Sequence, residues 1–262
     1  MMKIGFVQTS PRFGEKQENF RHVKEMLAGC QADLLVLPEL FATGYAFNSR
    51  EEAMDLSEKP GEETSNFLLD LASMCNSTVV GGFIEHDNGN CYNSAIMADG
   101  SGILAIYRKL HLFNKEKLWF NPGDRAPEVY TVRGVKIGMM ICFDWIFPET
   151  CRTLALKGAQ VIAHPSNLVL PWAQQAMVIR CLENHCYAVT ANRIGREQRG
   201  TDDFTFTGSS QITGCQGGIL ASASGEKACI QIVEIEPEEA LNKKVNPYND
   251  LFNDRRSRYY SL

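Results

Sequence analysis

No stretch of this sequence approaches the roughly 18 apolar residues of a membrane-spanning helix, and no Cys-x-x-Cys pair occurs in it. Low-complexity segments and short-period repeats are also lacking, which excludes solenoids, collagen-like rods and long linkers. Positive charge is scarce: 26 Lys and Arg stand against 31 Asp and Glu, a net charge of −5. A mildly acidic chain lacks the field that gathers phosphate backbones, so neither nucleic acid nor a membrane is expected as a partner. The one basic and aromatic patch, Arg255, Arg256, Arg258, Tyr259 and Tyr260, reads as a docked or solvated tail.

The nine cysteines are odd in number and scattered singly. The start, Met1 to Val7, moves straight into a strand-like run without the apolar core or cleavage site of a secretory signal. Free thiols in such a sequence lead us to expect a reducing, cytoplasmic setting.

What is present is enough for a large core: 262 residues, 44% of them hydrophobic and 22% charged. Short Val- and Ile-rich runs alternate with helical periodicity. Strands are expected at Lys3–Gln8, Leu34–Leu37, Thr78–Ile84, Val135–Ile141, Val161–Ala163 and Tyr187–Ala191. Asn93–Ala98 and Gly102–Tyr107 flank the turn signal Asp99-Gly100 and predict a hairpin. Helices are expected near Lys16–Cys30, Thr64–Cys75 and Trp172–Cys186, with another starting at Pro148, a residue suited to a first turn. Late runs at Phe204–Ile212, Gly218–Ala223 and Ala228–Ile235 predict antiparallel strands. Continuous apolar strands beside amphipathic helices mean sheets covered by helices. The expected fold class is α/β with mixed sheets, in a single domain over residues 1–262.

Three polar residues sit where apolar strands end, which is where α/β sheets usually bind ligands. Glu39 follows Leu34–Leu37, Lys109 follows Gly102–Tyr107, and Cys142 follows Val135–Ile141. Singly, each has an ordinary explanation: a loop cap, a snorkelling lysine, a small hydrophobe. Together they supply the parts for acyl transfer. A thiol with a pKa of about 8.5 is only a few per cent thiolate at neutral pH and needs a base or a nearby cation. A carboxylate among Leu and Phe side chains is tuned upward by desolvation, and an ammonium stabilises a thiolate or a tetrahedral oxyanion. A sharp strand-to-helix turn at Cys142 would expose the sulfur and free the Phe143 N–H as a second oxyanion donor.

These segments resemble the signature segments of the nitrilase superfamily, the carbon–nitrogen hydrolases. Leu37-Pro38-Glu39 with Thr43-Gly44-Tyr45 is similar to the segment of the family's general base, and Tyr107-Arg108-Lys109-Leu110-His111 to its lysine segment. Gly138-Met139-Met140-Ile141-Cys142-Phe143-Asp144, continuing to Phe147-Pro148-Glu149, is similar to its nucleophile segment. Their order and separation match over essentially the whole chain. The resemblance implies Glu39, Lys109 and Cys142 as catalytic residues. It implies supporting or substrate-positioning roles for Glu116, Phe143, Asp144, Trp145 and Asn167. It further implies a four-layer αββα sandwich, a small amide or nitrile as substrate, no metal or organic cofactor, and a homodimer or higher homo-oligomer. Residues 245–262 are similar to C-terminal tails that make dimer contacts.

Other readings remain open on sequence alone. His111 or His164 could serve Cys142 as base, and Cys181, His185 and Cys186 could hold zinc, although adjacent ligands on one helix have poor geometry. The chain could also be a silent binding member of the fold. Within the family, the stretch Cys142-Phe143-Asp144-Trp145 departs both from the Cys-Trp-Glu of nitrilases and from the Cys-Tyr-Asp of many carbamoyl hydrolases. Asp144 and the Phe-Pro-Glu continuation favour an amide over a nitrile.

Overall fold

The computed structural model describes residues 1–260. The first half runs β1 (Met2–Gln8), α1 (Lys16–Met26), β2 (Leu34–Val36), α2 (Arg50–Asp55), α3 (Glu63–Cys75), β3 (Thr78–Asp87), β4 (Asn90–Asp99), β5 (Gly102–Arg108) and α4 (Glu116–Trp119). The second half runs β6 (Val129–Val132), β7 (Val135–Met139), α5 (Pro148–Leu156), β8 (Val161–Ser166), α6 (Ala173–Asn184) and β9 (Tyr187–Asn192). It continues through β10 (Arg196–Arg199), β11 (Asp202–Thr205), β12 (Gln211–Thr213), β13 (Ile219–Ser222) and β14 (Cys229–Ile235). A small hairpin of β15 (Lys244–Asn246) and β16 (Asn249–Asp250) follows.

Two six-stranded sheets share one plan. Their orders are β14-β1-β2-β3-β4-β5 and β13-β12-β9-β8-β7-β6. In each, a parallel core, β1-β2-β3 or β7-β8-β9, is flanked by antiparallel strands. The period-2 alternation of a strand decides what each sheet face meets. Ile4, Phe6, Leu34 and Val36 join Ile137, Met139, Val161 and Val189 in the core between the sheets. Their neighbours Val7, Leu35 and Val79 turn the other way, onto Phe20, Val23 and Leu27 of the α1 region and Leu68 and Leu71 of α3. Each fully buried Leu, Ile or Phe contributes about 1.5–3 kcal/mol. With α5 and α6 covering the second sheet, the result is the four-layer αββα sandwich.

Most expected elements form, with local differences. The Phe204–Ile212 strand is a correction: the run divides between β11, paired with β10 in a separate hairpin, and β12 of the main sheet. Gly208 and Ser209, with φ of +54° and +52°, turn the chain between them. Two left-handed residues in succession cannot continue a strand. Several short elements lie outside the sequence expectations, among them α4, β6, β10 and the β15–β16 hairpin, and two more carry clear local signals. One is α2, capped by Ser49 accepting from the Glu52 N–H at 3.1 Å. The other is the tight β3–β4 turn at Asn88-Gly89, both with positive φ, as a two-residue hairpin requires. Tyr248 and Tyr259 of the tail are exposed, Phe252 lies under Lys243 and Arg152, and Arg256 and Arg258 lie over the Tyr259 ring. Ser261 and Leu262 of the expected tail lie outside the described residues. Among the described residues, no helix is long and apolar enough to cross a membrane.

Candidate active site

The three residues singled out by strand-end position emerge at the same end of the sandwich. Leu37 N still pairs with the Val80 carbonyl at 2.7 Å, after which Pro38 turns the chain and Glu39 is delivered inward. Leu40 follows with φ of +47°. This bend presses against β3, where a Cβ added to Gly82 would lie 2.5 Å from Leu40 N and 2.7 Å from Glu39 Cα. Only glycine permits that approach. Lys109 follows β5 directly, its N–H donating to the Asn93 carbonyl at 2.8 Å.

Their side chains meet in the interior. Lys109 Nζ lies 2.7 Å from Glu39 Oε1 and 2.7 Å from Glu116 Oε1, and all three groups are buried. Asn93 Nδ2 also donates to Glu39 Oε1, at 2.7 Å, while Glu39 Oε2 has no partner. Tyr45 donates its hydroxyl to Glu116 Oε1 at 2.6 Å, and the Phe113 N–H donates to Glu116 Oε2 at 3.2 Å. Burial opposes the charge on Lys109, but Glu116, Glu39 and Cys142 outweigh it and hold the ammonium above its ordinary range. Burial pushes Glu116 up, Lys109 pulls it down and Glu39 pushes it up again, for a net rise. Tyr45 is raised by burial and then by both carboxylates, so its hydroxyl stays a donor.

Cys142 has φ of +40°, a left-handed position for a non-glycine residue, which costs about 1–3 kcal/mol unless its surroundings enforce it. They do. The His164 ring Nε2 meets the Cys142 carbonyl at 3.0 Å, and Asp144 Oδ2 accepts from the Ile141 N–H at 2.9 Å. Asp144 is otherwise occupied by the Tyr107 hydroxyl, at 2.8 Å, and by the His111 N–H and Nδ1, at 3.1 and 2.7 Å. It braces the turn rather than facing a cavity. The chain then enters a short 3₁₀ turn, Cys142–Ile146, whose first N–H groups have no intrahelical partner. The sharp turn expected at Cys142 is thus present, but the residue is only 5% exposed. Burial first, and then Glu39, push the thiol well above its ordinary pKa, against the pull of Lys109 and the Asn167 N–H.

Beside the sulfur lies a small cavity lined by Phe113, Phe143, Trp145, Asn167 and Leu168–Leu170. The structure therefore brings Glu39, Lys109, Glu116 and Cys142 into one electrostatic cluster and places Phe143, Trp145 and Asn167 on its cavity. Neither alternative base is aimed at the sulfur. His164 Nδ1 is bound to Thr190 at 3.0 Å, and burial lowers its pKa to about 4. His111 is held by Asp144 and stacked on Phe147 at 3.7 Å. His185 turns Nδ1 to the Asn242 carbonyl at 2.9 Å, and among the described residues no group of three or more His, Cys, Asp or Glu is placed to hold a metal.

Sequence reasoning misses Tyr45 as a partner of Glu116, Asn93 as a partner of Glu39, and the buried pair Arg193–Glu197 at 2.7 Å. Glu197 Oε1 accepts the backbone N–H groups of Tyr45, at 2.8 Å, and Ala46. These partners are up to 152 positions apart, and no local pattern announces them.

An αββα sandwich with a buried carboxylate–ammonium–thiol set at its strand ends defines a hydrolase of carbon–nitrogen bonds. The family model described as carbon-nitrogen hydrolase matches residues 3–242, and the chain belongs to that family. It is 44% identical over 264 residues to a protein of Pyrococcus abyssi named nitrilase, covering 99% of each chain. It is 33% identical to an (R)-stereoselective amidase of a Pseudomonas species, covering 97% of this chain and 92% of that one. The crystal structure of a carbon-nitrogen hydrolase from Helicobacter pylori superposes with a TM-score of 0.90 at 27% identity, covering 99% of this chain and 97% of the other.

Proposed function

We propose that this hydrolase cleaves the C–N bond of a small carboxamide through a thioester on Cys142, releasing ammonia and a carboxylic acid. The observation that carries this reading is the Lys109 ammonium, 2.7 Å from both Glu39 and Glu116. It leaves Glu39 one unpartnered oxygen, Oε2, as the acceptor for a thiol that burial keeps protonated.

Glu39 Oε2 takes the Cys142 proton as sulfur bonds to the carbonyl carbon and the carbonyl π electrons move to oxygen. The remaining N–H of Lys109 and the Phe143 N–H hold that oxyanion. Glu39 passes the proton to nitrogen as the C–N bond breaks, so ammonia leaves and the thioester remains. Glu39 then removes a proton from water, whose oxygen adds to the thioester. The C–S bond breaks, and the proton returns from Glu39 to sulfur. One amide and one water give one acid and one ammonia, with no metal or organic cofactor drawn upon. Glu116 and Tyr45 hold Lys109 in place, and Asp144 braces the turn at Cys142.

A second reading, hydrolysis of small nitriles, is supported by the 44% identical relative named nitrilase. There the thiol would add to the nitrile carbon while Glu39 protonates nitrogen. The amide stands first because of the Cys142-Phe143-Asp144 segment and the amidase relative. The test is ammonia release from an amide, an N-carbamoyl amine and a nitrile that share one acyl skeleton, with Cys142→Ala as control. Turnover of the amide that vanishes in Cys142→Ala is expected. A silent amide beside an active nitrile selects the second reading, and turnover that survives the substitution removes Cys142 from the chemistry.

The outer faces of α5 and α6 leave Leu156, Ile179 and Leu182 exposed. Together with the chain from Val245 onward, they support a contact between two copies of this protein. Sedimentation should then give twice the chain mass, and a monomer at micromolar concentration would exclude the contact.

A further inference from the structure

We propose that the cavity beside Cys142 receives the acyl group, and that it selects small, uncharged acyl groups bearing one hydrogen-bonding substituent, which Asn167 binds. The proposal rests on the hydrolase reading above and adds the substrate class. Asn167 is 2% exposed, yet neither Oδ1 nor Nδ2 has a hydrogen-bond partner. Its backbone is fixed between the end of β8 at Ser166 and Leu168, whose N–H donates to Asn192 Oδ1 at 2.8 Å. A buried amide held in place without partners is costly unless something else satisfies it.

The rest of the lining narrows what that something is. Phe113, Phe143, Trp145 and Leu168–Leu170 are apolar or aromatic, and besides the thiol no ionisable side chain lines the cavity. In the neighbouring pocket across Phe113, Lys115 is already taken by Asp202 at 2.6 Å and Thr201 at 3.0 Å. A charged acyl group would be buried here without a counter-ion. The lining also leaves little free space beside the sulfur, so only a short acyl chain can enter.

The polar demands of the reacting group itself are met elsewhere. Glu39 Oε2 serves the leaving nitrogen, and Lys109 with the Phe143 N–H serves the oxygen. Asn167, set among the apolar lining, is left for the acyl chain. A donor–acceptor amide matches a hydroxyl or a second carboxamide close to the reacting carbon. Sites that bind a substrate hydroxyl discriminate sharply against the analogue lacking it, because their own polar group is then stranded.

The test measures kcat/KM by ammonia release for propionamide, lactamide, the anion succinamate and the cation β-alaninamide, with the matching nitriles alongside. Wild type, Asn167→Leu and Asn167→Ala are compared, with Cys142→Ala as control. We expect wild type to favour lactamide over propionamide by about tenfold or more and to leave both charged amides unreacted. In both Asn167 variants the lactamide-to-propionamide ratio should fall to about one, a readout unaffected by how much of each variant folds. A wild-type ratio near one, a ratio unchanged in the variants, or ready turnover of succinamate or β-alaninamide overturns the proposal. Loss of all turnover in both variants overturns it too, since that places Asn167 in the chemistry rather than in selection. Silence of every amide and nitrile in wild type has a different signature, and brings down the hydrolase reading together with this one.

Discussion

The hydroxyl of Tyr45 donates at 2.6 Å to Glu116 Oε1, the same oxygen that receives Lys109 Nζ at 2.7 Å. With the Phe113 N–H on Oε2, these are the three donors that favour the ionised form of Glu116 against its burial. Tyr45→Phe removes one of them and raises the proton affinity of Glu116. The acid limb of the kcat/KM profile should move to higher pH, and activity at neutral pH should drop by about ten- to a hundredfold. An unmoved acid limb would mean that Tyr45 only packs.

Lys109→Met should abolish turnover and also destabilise the fold by about 3–5 kcal/mol, because two buried carboxylates lose their shared cation. The sign with pH follows from those carboxylates. Burial already raises Glu116 and Lys109 opposes that, so without Lys109 its folded-state pKa rises further, and the stability deficit is relieved at low pH, where it is protonated, and grows as pH rises. Urea unfolding of both proteins near pH 5 and near pH 8 should show the gap widening; an equal gap would assign the loss to packing.

Gly82→Ala places a methyl 2.5 Å from Leu40 N and 2.7 Å from Glu39 Cα. Overpacking of this kind costs about 1–3 kcal/mol, and the movement it forces falls on Glu39, the proposed general base. The expected result is a folded enzyme whose kcat falls while its melting temperature changes by only a few degrees. A variant with wild-type kcat would show that the bend tolerates displacement.

His164 is buried and neutral, its pKa lowered by burial to about 4 from an ordinary 6.5, with the Cys142 carbonyl pulling the other way. Besides that carbonyl it faces Thr190, Ser166, Asp144, Glu39 and Lys109. Between those two pH values the unfolded chain binds a proton that the folded one refuses. This contribution is thus complete above pH 6.5 and lost as pH falls through 4, up to about 3 kcal/mol in all. Denaturation followed across that window should show a decline that His164→Asn flattens.

The proposed catalytic trio is legible in the sequence because each member is announced locally, by an apolar run that stops at a polar residue. Glu39, Lys109 and Cys142 need only that pattern and the family resemblance to be found. The strands and helices of both halves are legible for the same reason, through periodicity within one element. Tyr45, Asn93 and Glu197 are not, because what makes them matter is a partner on another element: Glu116, Glu39, and the Tyr45 backbone. Phe204–Ile212 misleads because its apolar alternation outweighs Gly208-Ser209, whose positive φ values are visible only in the folded chain. Asn88-Gly89 and the Ser49-to-Glu52 cap are local signals of strand turn and helix start that were there to be read.

Glu39 and Lys109 hang from one sheet, after β2 and β5, while Cys142 hangs from the other, after β7. The reaction is thus a gauge of how the two layers are seated on each other. A chain with both halves formed but slipped by one side chain would carry every reactive group and turn over nothing. Substitutions that reshape the facing Ile4, Phe6, Ile137 and Met139 side chains would therefore disturb the alignment of the three groups as well as the core.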